Sequence, residues 1–292
     1  MSSHTVSVII PSRNVKEDLR KCLTSVFDNC GDGEVEVIVS DSNSTDGTVE
    51  MVQASFPHVK LCRSEEAGSY ASAVNRGIEA SAGEFLLFLD SDVTIREKTI
   101  GEQLNFLKAC PETGAVVNKM LYPDGSAQPV VKRFPSVLNS LFGRETILTR
   151  LCPRNRISRN YLMLDELEKD EPFEADWAST ACMMVRREAI EQIGFLDEGY
   201  LLYWVDADFC RRLRDAGYRV CYTPYATAVH DMRNEVGKKK SVHMIKAFHL
   251  GAYRYFRKFH VKSALHPMNL LAIVGLTARA ALQILINSFK RD

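Results

Sequence analysis

The sequence predicts an α/β protein: a mostly parallel sheet with helices on both faces, followed by a helical, amphipathic tail. Three observations predict it. Short β-branched runs alternate with stretches of helical spacing. The runs are continuously apolar, as in strands buried on both faces. Polar clusters follow three of the first four runs, at the carboxyl ends of strands, where open α/β sheets bind ligands.

The elements follow in order. Residues 6–10 (VSVII) predict a strand closed by Pro11. Residues 15–28 place Val15, Leu19, Cys22, Leu23, Val26 and Phe27 at helical spacing. Residues 35–39 (VEVIV) predict the second strand, closed by the turn-rich DSNSTDGT, where Asp46-Gly47 reads as a turn. A helix is expected over 49–56, a strand over 59–62, and a small-residue helix over 69–80 that stops at Gly83. Residues 85–89 (FLLFL) predict the fourth strand. Residues 96–109 predict a helix, and 120–172, with five prolines, irregular loops and short helices over the crevice. Order resumes with a strand at 178–185 and a short helix, RREAIEQIG, stopped by Gly194. A helix at 206–216 ends at Gly217, and strands follow at 218–222 and 227–230.

Composition bounds the rest. At 46% hydrophobic and 25% charged residues, the chain can build an ordinary core, which excludes global disorder. Its 292 residues suit one large domain with an appendage: a catalytic unit over 1–231 and a tail over 232–292. The start carries no basic stretch followed by an apolar one, so no signal peptide is expected. Eight scattered cysteines without a CxxC pair predict buried free thiols in a reducing cytoplasm, not a disulfide framework or a zinc site. The zero net charge hides a polarity. Beyond residue 231 there are 12 Lys and Arg against 2 acids; before it, 25 against 35. A basic end suits an anionic membrane surface or nucleic acid.

Asp90-Ser91-Asp92 carries the first chemistry. Two carboxylates that close disfavour each other's ionised form unless a cation lies between them. In an extended or turn conformation both reach one ligand while Ser91 points away. Mg2+ or Mn2+ would take these oxygens together with substrate phosphates. The plain alternative is a solvated turn whose Asp caps the next helix. Its place after a buried strand favours the cation.

Four blocks in order, VSVIIPSRN, VIVSDSNSTDGT, AVNRGIEASAGEFLLFLDSD and FLDEGYLLYWVDADFCRRLRDAGYRVCYTPYATAVH, resemble inverting glycosyltransferases of family 2 with the GT-A fold, and within them the bacterial rhamnosyltransferase-like group. The resemblance covers roughly residues 5–260 at motif level. It implies a nucleotide-diphosphate sugar donor (dTDP or UDP) bound by residues 1–95, a glycan acceptor bound by 96–231, and a divalent metal. By that resemblance Pro11, Arg13 and Asn14 line the nucleotide pocket, and Asp41 accepts hydrogen bonds from the base with Ser42 beside it. Asp90 and Ser91 belong to the donor site. Asp90 meets ribose or metal, and Asp92 binds the metal. Asp206 is the expected general base, because inversion needs a carboxylate opposite the leaving diphosphate. The family usually has Glu where this chain has Val205, which removes a supporting carboxylate. Asp208 is either an acceptor-side group or a structural partner of Arg211 or Arg212. Asp176-Trp177 resembles an acceptor-side pair whose aromatic face stacks on a sugar. His230 completes the metal or diphosphate site, or is a packed strand-end residue. Gly68-Ser69-Tyr70 departs from the family's usual turn, which leaves the donor's base and sugar open.

In the tail, Arg279, Gln283 and Asn287 recur every four residues within an otherwise apolar stretch. This polar stripe predicts an interfacial helix rather than a spanning one. Lysines upstream would meet anionic lipid, which places the protein in the cytoplasm at the inner face of the membrane. The same helix could pack on the protein itself or across a homodimer. The resemblance implies a lipid-linked acceptor and no nucleic-acid partner. Rival readings are a sugar-phosphate nucleotidyltransferase, whose first loop usually carries glycines that PSRNVKEDL lacks, and a catalytically inactive nucleotide-sugar-binding module.

Overall fold

The computed structural model describes residues 5–30, 35–135, 155–232, 241–261, 263 and 265–289. The first half follows the expected alternation. Strands β1 (Val6–Ser12), β2 (Val35–Ser42), β3 (Lys60–Ser64) and β4 (Phe85–Leu89) lie in the order β3-β2-β1-β4, all parallel. Helices α1 (Lys16–Asn29), α2 (Thr48–Ser55) and α3 (Tyr70–Ala80) connect them. Pro11 does not close β1 as the sequence suggested. The strand runs on to Ser12, with Pro11 opposite Ser40 of β2. Pairing with β4 stops at Ile9, so the missing N–H of Pro11 costs no bond on that side.

The second half adds β5 (Val93–Ile95), α4 (Thr99–Ala109), β6 (Thr113–Leu121), β7 (Ala127–Gln128), β8 (Val131–Lys132), α5 (Arg156–Tyr161), α6 (Leu164–Leu167), β9 (Phe173–Ala175), β10 (Trp177–Ala178), β11 (Cys182–Arg186), α7 (Arg187–Ile193), α8 (Val205–Asp215) and β12 (Arg219–His230). The sheet continues from β4 as β11-β6-β12-β5. Strand β11 runs antiparallel to both neighbours, so the sheet is mixed, with parallel pairing concentrated in the first half. The expected strand over 178–185 is two strands: β10 leaves to pair with β8, and β11 enters the sheet. The two strands expected at 218–222 and 227–230 are one, β12, with a register shift between Thr223 and Thr227 where Pro224 interrupts pairing with β6. The stretch expected to be irregular, 120–172, contains β7, β8, α5 and α6; its residues 136–154 lie outside the described residues.

The core sits on both faces of the sheet. Leu86, Leu87, Phe88 and Leu89 are fully buried. Phe88 meets Phe209 of α8 edge-on at 5.9 Å, which ties the sheet's centre to the helix that carries Asp206.

Two further helices follow, α9 (Val242–Phe259) and α10 (Pro267–Ser288). Ser241 caps α9 by accepting the Met244 N–H. The expected boundary at residue 231 does not separate two cores: Tyr255 of α9 is 2% exposed and belongs to the main hydrophobic cluster. Helix α10 packs on α9 with its polarity reversed. Its buried residues are Asn269 and Asn287, whereas Leu270, Leu271, Ile273, Val274, Leu282 and Leu285 are exposed. Among the described helices it is the one long and apolar enough to cross a membrane by length and composition.

Candidate active site

The carboxyl ends of β1, β2 and β4 open into a crevice of about 1060 Å³. That volume lies at the top of the range for small-molecule sites, enough for a nucleotide sugar and part of an acceptor.

Chain reversal after β4 sets the acidic end. The Asp90 N–H donates to the Ala181 carbonyl (2.9 Å), and the Val93 N–H donates to the Asp90 carbonyl (3.0 Å). Strand β5 then runs antiparallel to β12, which places His230 opposite Val93. One ligand atom each from Asp90, Asp92 and His230 falls within 4.8 Å of the others, and His230 Nε2 lies 3.3 Å from Asp92 Oδ1. Two carboxylates and an imidazole at that separation fit a divalent cation of the Mg2+ or Mn2+ kind, with room for phosphate oxygens. Ser91 lines the same wall.

The nucleotide-side residues divide. Pro11, Arg13 and Ser42 line the crevice; Asn14 and Asp41 do not. Asp41 is 1% exposed, and its carboxylate accepts the Ser44 N–H at 2.9 Å. Asn14, in the left-handed region at φ 53°, accepts the Thr45 N–H (2.7 Å), and its own N–H donates to Ser44 Oγ. Both residues therefore shape the loop between β2 and α2. The Asp46 carboxylate accepts the Thr48 N–H at the start of α2 and also the Lys16 N–H that opens α1, while Gly47, the N-cap of α2, takes φ 83°.

Asp206 stands in the first turn of α8 and faces the crevice. Burial pushes its carboxyl above the ordinary value, and Lys132 works against that rise. Its position depends on Trp204, which enters the helix at φ 76°, a strained conformation for a bulky residue. The strain is held by packing. The Trp204 ring sits 5.5 Å from both Phe248 and Tyr255 of α9. A Cβ on Gly251 would come 2.8 Å from Trp204 Cδ1 and 3.1 Å from the Tyr203 carbonyl oxygen. Val205, which stands where the family usually has Glu, is 3% exposed and packs in the core.

The acceptor-side trio also divides. Trp177 lines the crevice with its indole N–H on the Arg133 carbonyl (2.9 Å) and Lys132 Nζ over its ring at 4.1 Å. Asp176 turns away, taking the Phe134 N–H and ion pairs from Arg214 and Arg133. Asp208 is fully buried and has no place on the crevice wall. The Arg212 Nε (2.8 Å), the Lys258 Nζ (2.6 Å) and the Tyr200 hydroxyl (3.1 Å) hold its carboxylate. The acceptor-side placement of Asp208 is thus corrected to a structural one, with Arg212 as the partner the sequence had suggested.

Several residues escaped the sequence reading. Asn75 of α3 is buried; its amide donates to the Leu196 carbonyl and Glu198, and its oxygen accepts the Leu196 N–H. It pins the segment leading to Trp204, a contact 121 positions away that local spacing does not signal. Tyr70 lines the crevice, and burial first, then the Asp90 carboxylate, push its phenol well above the ordinary value, so it stays neutral. Lys132 and Tyr161 come from the stretch read as irregular. Arg279, Gln283 and Asn287 line the crevice too: the polar stripe of α10 faces inward. Of the seven described cysteines, all free, Cys22, Cys182, Cys210 and Cys221 are buried and Cys30, Cys62 and Cys110 are half-buried; Cys152 lies outside the described residues.

A family model described as glycosyl transferase family 2 matches residues 7–194. The N-acetylglucosaminyl-diphospho-decaprenol L-rhamnosyltransferase of Mycobacterium tuberculosis is 30% identical over 239 residues, 77% of this chain and 76% of that protein. Among solved structures, "GalNAc-T7 with UDP, GalNAc and Mn2+" matches with TM-score 0.63 at 13% identity, over 88% of this chain and 48% of that one. The mannosyltransferase PcManGT of Pyrobaculum calidifontis, in complex with GDP-Man and Mn2+, gives 0.59 at 19% identity, over 97% and 72%. The structural likenesses show the shared GT-A fold. Family match and sequence relative together show that the chain belongs to glycosyl transferase family 2 and is a glycosyltransferase.

Proposed function

We propose that the chain moves a sugar, rhamnose, from a dTDP or UDP donor to a hydroxyl of a lipid-linked glycan, inverting the anomeric carbon. The observation that carries this reading is that Asp206 and the Asp90–Asp92–His230 cluster line one crevice. The rhamnose and the lipid link follow the printed name of the mycobacterial relative.

Asp206 takes the proton of the acceptor hydroxyl as its oxygen bonds to the anomeric carbon, and the bond to the diphosphate breaks with its electron pair leaving on the diphosphate. The raised carboxyl makes Asp206 a stronger base than an ordinary aspartate, and the Lys132 charge favours its ionised form. Asp90, Asp92 and His230 would hold Mg2+ or Mn2+, which when bound offsets the charge building on the diphosphate. Arg13 and Ser42 supply polar contacts on the nucleotide side, and Trp177 a face for the acceptor sugar. Asp206→Asn tests the assignment. Nucleotide binding should persist and transfer should collapse; unchanged transfer would sink it.

The reading includes peripheral attachment to the inner face of the cell membrane through the apolar outer face of α10. Retention on anionic liposomes that disappears when residues 262–292 are removed is the expected result. A concentration-dependent dimer through the same face, seen by sedimentation, would instead make that face a subunit contact.

A further inference from the structure

We infer that Arg279 of α10 binds the phosphate through which the acceptor sugar is attached to its lipid. The inference rests on the transferase reading above for its acceptor, and on the structure for its place.

Arg279, Gln283 and Asn287 lie at four-residue intervals and line the crevice, while the opposite face of α10 exposes Leu270, Leu271, Val274 and Leu282. Among the described residues no carboxylate pairs with Arg279. Its neighbours are the Phe248 ring, 6.0 Å from the guanidinium, and the Tyr161 phenol. Burial depresses its pKa below the ordinary arginine value. A half-buried guanidinium without an anion still loses part of its hydration, and a phosphate answers its planar fork with two parallel hydrogen bonds.

The arrangement also gives a direction. Tyr161 lies within electrostatic reach of both Asp206 and Arg279. Burial first, then the Asp206 charge, push its phenol up to about 12, and all three side chains line the same crevice. A sugar placed against Tyr161 can offer a hydroxyl to Asp206 at one end and its anomeric phosphate to Arg279 at the other. Beyond Arg279 the exposed apolar face of α10 gives the lipid chain a surface to follow. The donor's diphosphate would have its own place at a cation held by the Asp90–Asp92–His230 cluster, so the two phosphates of the reaction would be held at separate points of the crevice.

Binding of geranylgeranyl diphosphate to the full chain in EDTA tests this, read by fluorescence of Trp177 and Trp204 in neutral detergent. Without a divalent cation the cluster contributes no anion site. Arg279→Gln should weaken binding about tenfold or more, as expected for a lost hydrogen bond to a charged group, with Arg279→Lys in between. Nucleotide binding with Mn2+ and the thermal unfolding midpoint should stay as in the parent chain. Equal binding by parent and Arg279→Gln overturns the inference, as does a loss that appears in nucleotide binding instead. A loss confined to retention on phosphatidylglycerol vesicles overturns it too, because the arginine then reads membrane headgroups. If the parent transfers no sugar yet binds the diphosphate through Arg279, the proposed reaction fails and this inference stands.

Discussion

The proposed donor and acceptor sides of the crevice are built in different ways. On the donor side, each polar residue sits at the end of a parallel strand and is fixed by its own loop or the next one. Asp41 is held by Ser44, Asn14 by Thr45, and the Asp90 turn by its own backbone. On the acceptor side, Asp206 is placed by segments far apart in the chain. Asn75 pins the approach, Gly251 admits the Trp204 ring, and Lys258 reaches Asp208. The donor edge is thus a property of sheet topology, and the acceptor edge a property of tertiary packing. Damage to remote packing should reach one edge and spare the other.

The largest expected effect separates the halves outright. Asp206→Asn should lower transfer by about 10² to 10⁴, the usual contribution of a general base, while nucleotide affinity holds. The same variant should be more stable than the parent at neutral pH. The folded carboxyl is raised, so its ionised form is disfavoured by folding, and that handicap disappears as pH falls below about 4, the ordinary carboxylate value. Thermal unfolding from neutral to acidic pH should show the two curves converging.

Asp208→Ala comes next. It strands Arg212 and Lys258, and breaking a buried pair in this way costs about 3 kcal/mol. Urea unfolding measures it, and transfer should fall with nucleotide binding spared. Gly251→Ala should cost about 1–3 kcal/mol through the clash with Trp204 and lower kcat more than donor affinity. A fall in donor affinity as large as the fall in kcat would break the distinction between the two edges.

The smallest effect concerns Asp197. Burial opposes its ionisation, but hydrogen bonds from Arg254 and Lys258 outweigh that and hold its carboxyl down at about 2. A lowered carboxyl stabilises fully above its unfolded value, and the contribution fades as pH falls from about 4 towards 2. Relative to Asp197→Asn, the parent should therefore lose its stability advantage over that acid window and nowhere above it.

The same division explains what the sequence could reveal. The four parallel strands and Asp90-Ser91-Asp92 were legible because continuous apolar runs end at polar clusters, a local signal, whereas the approach of His230 was implied only by the family resemblance. Strand β6 was passed over although six of its first seven residues, Thr113–Val117 and Asn118, are buried. It follows a helix without a polar cluster to mark its end. The burial of Asp41 was not legible, and that of Asp208 only as one of two alternatives, because a short carboxylate beside a turn or helix start reads alike whether it faces ligand or partner. The inward face of α10 was the subtlest. The i, i+4 polar stripe was visible, but an exposed polar face and a crevice-lining one have the same period. Only the packing on α9 tells them apart.

One feature of the sheet bears on how the protein is made. Strand β12 lies between β6 and β5, although it follows both by about a hundred residues. A chain emerging from the ribosome can form the β3-β2-β1-β4 unit early, yet the gap between β6 and β5 stays open until His230 has been synthesised. His230, the third member of the proposed cation cluster, sits at the end of that last strand. A half-made chain can therefore form the β3-β2-β1-β4 unit but cannot bring Asp90, Asp92 and His230 together until the sheet is closed.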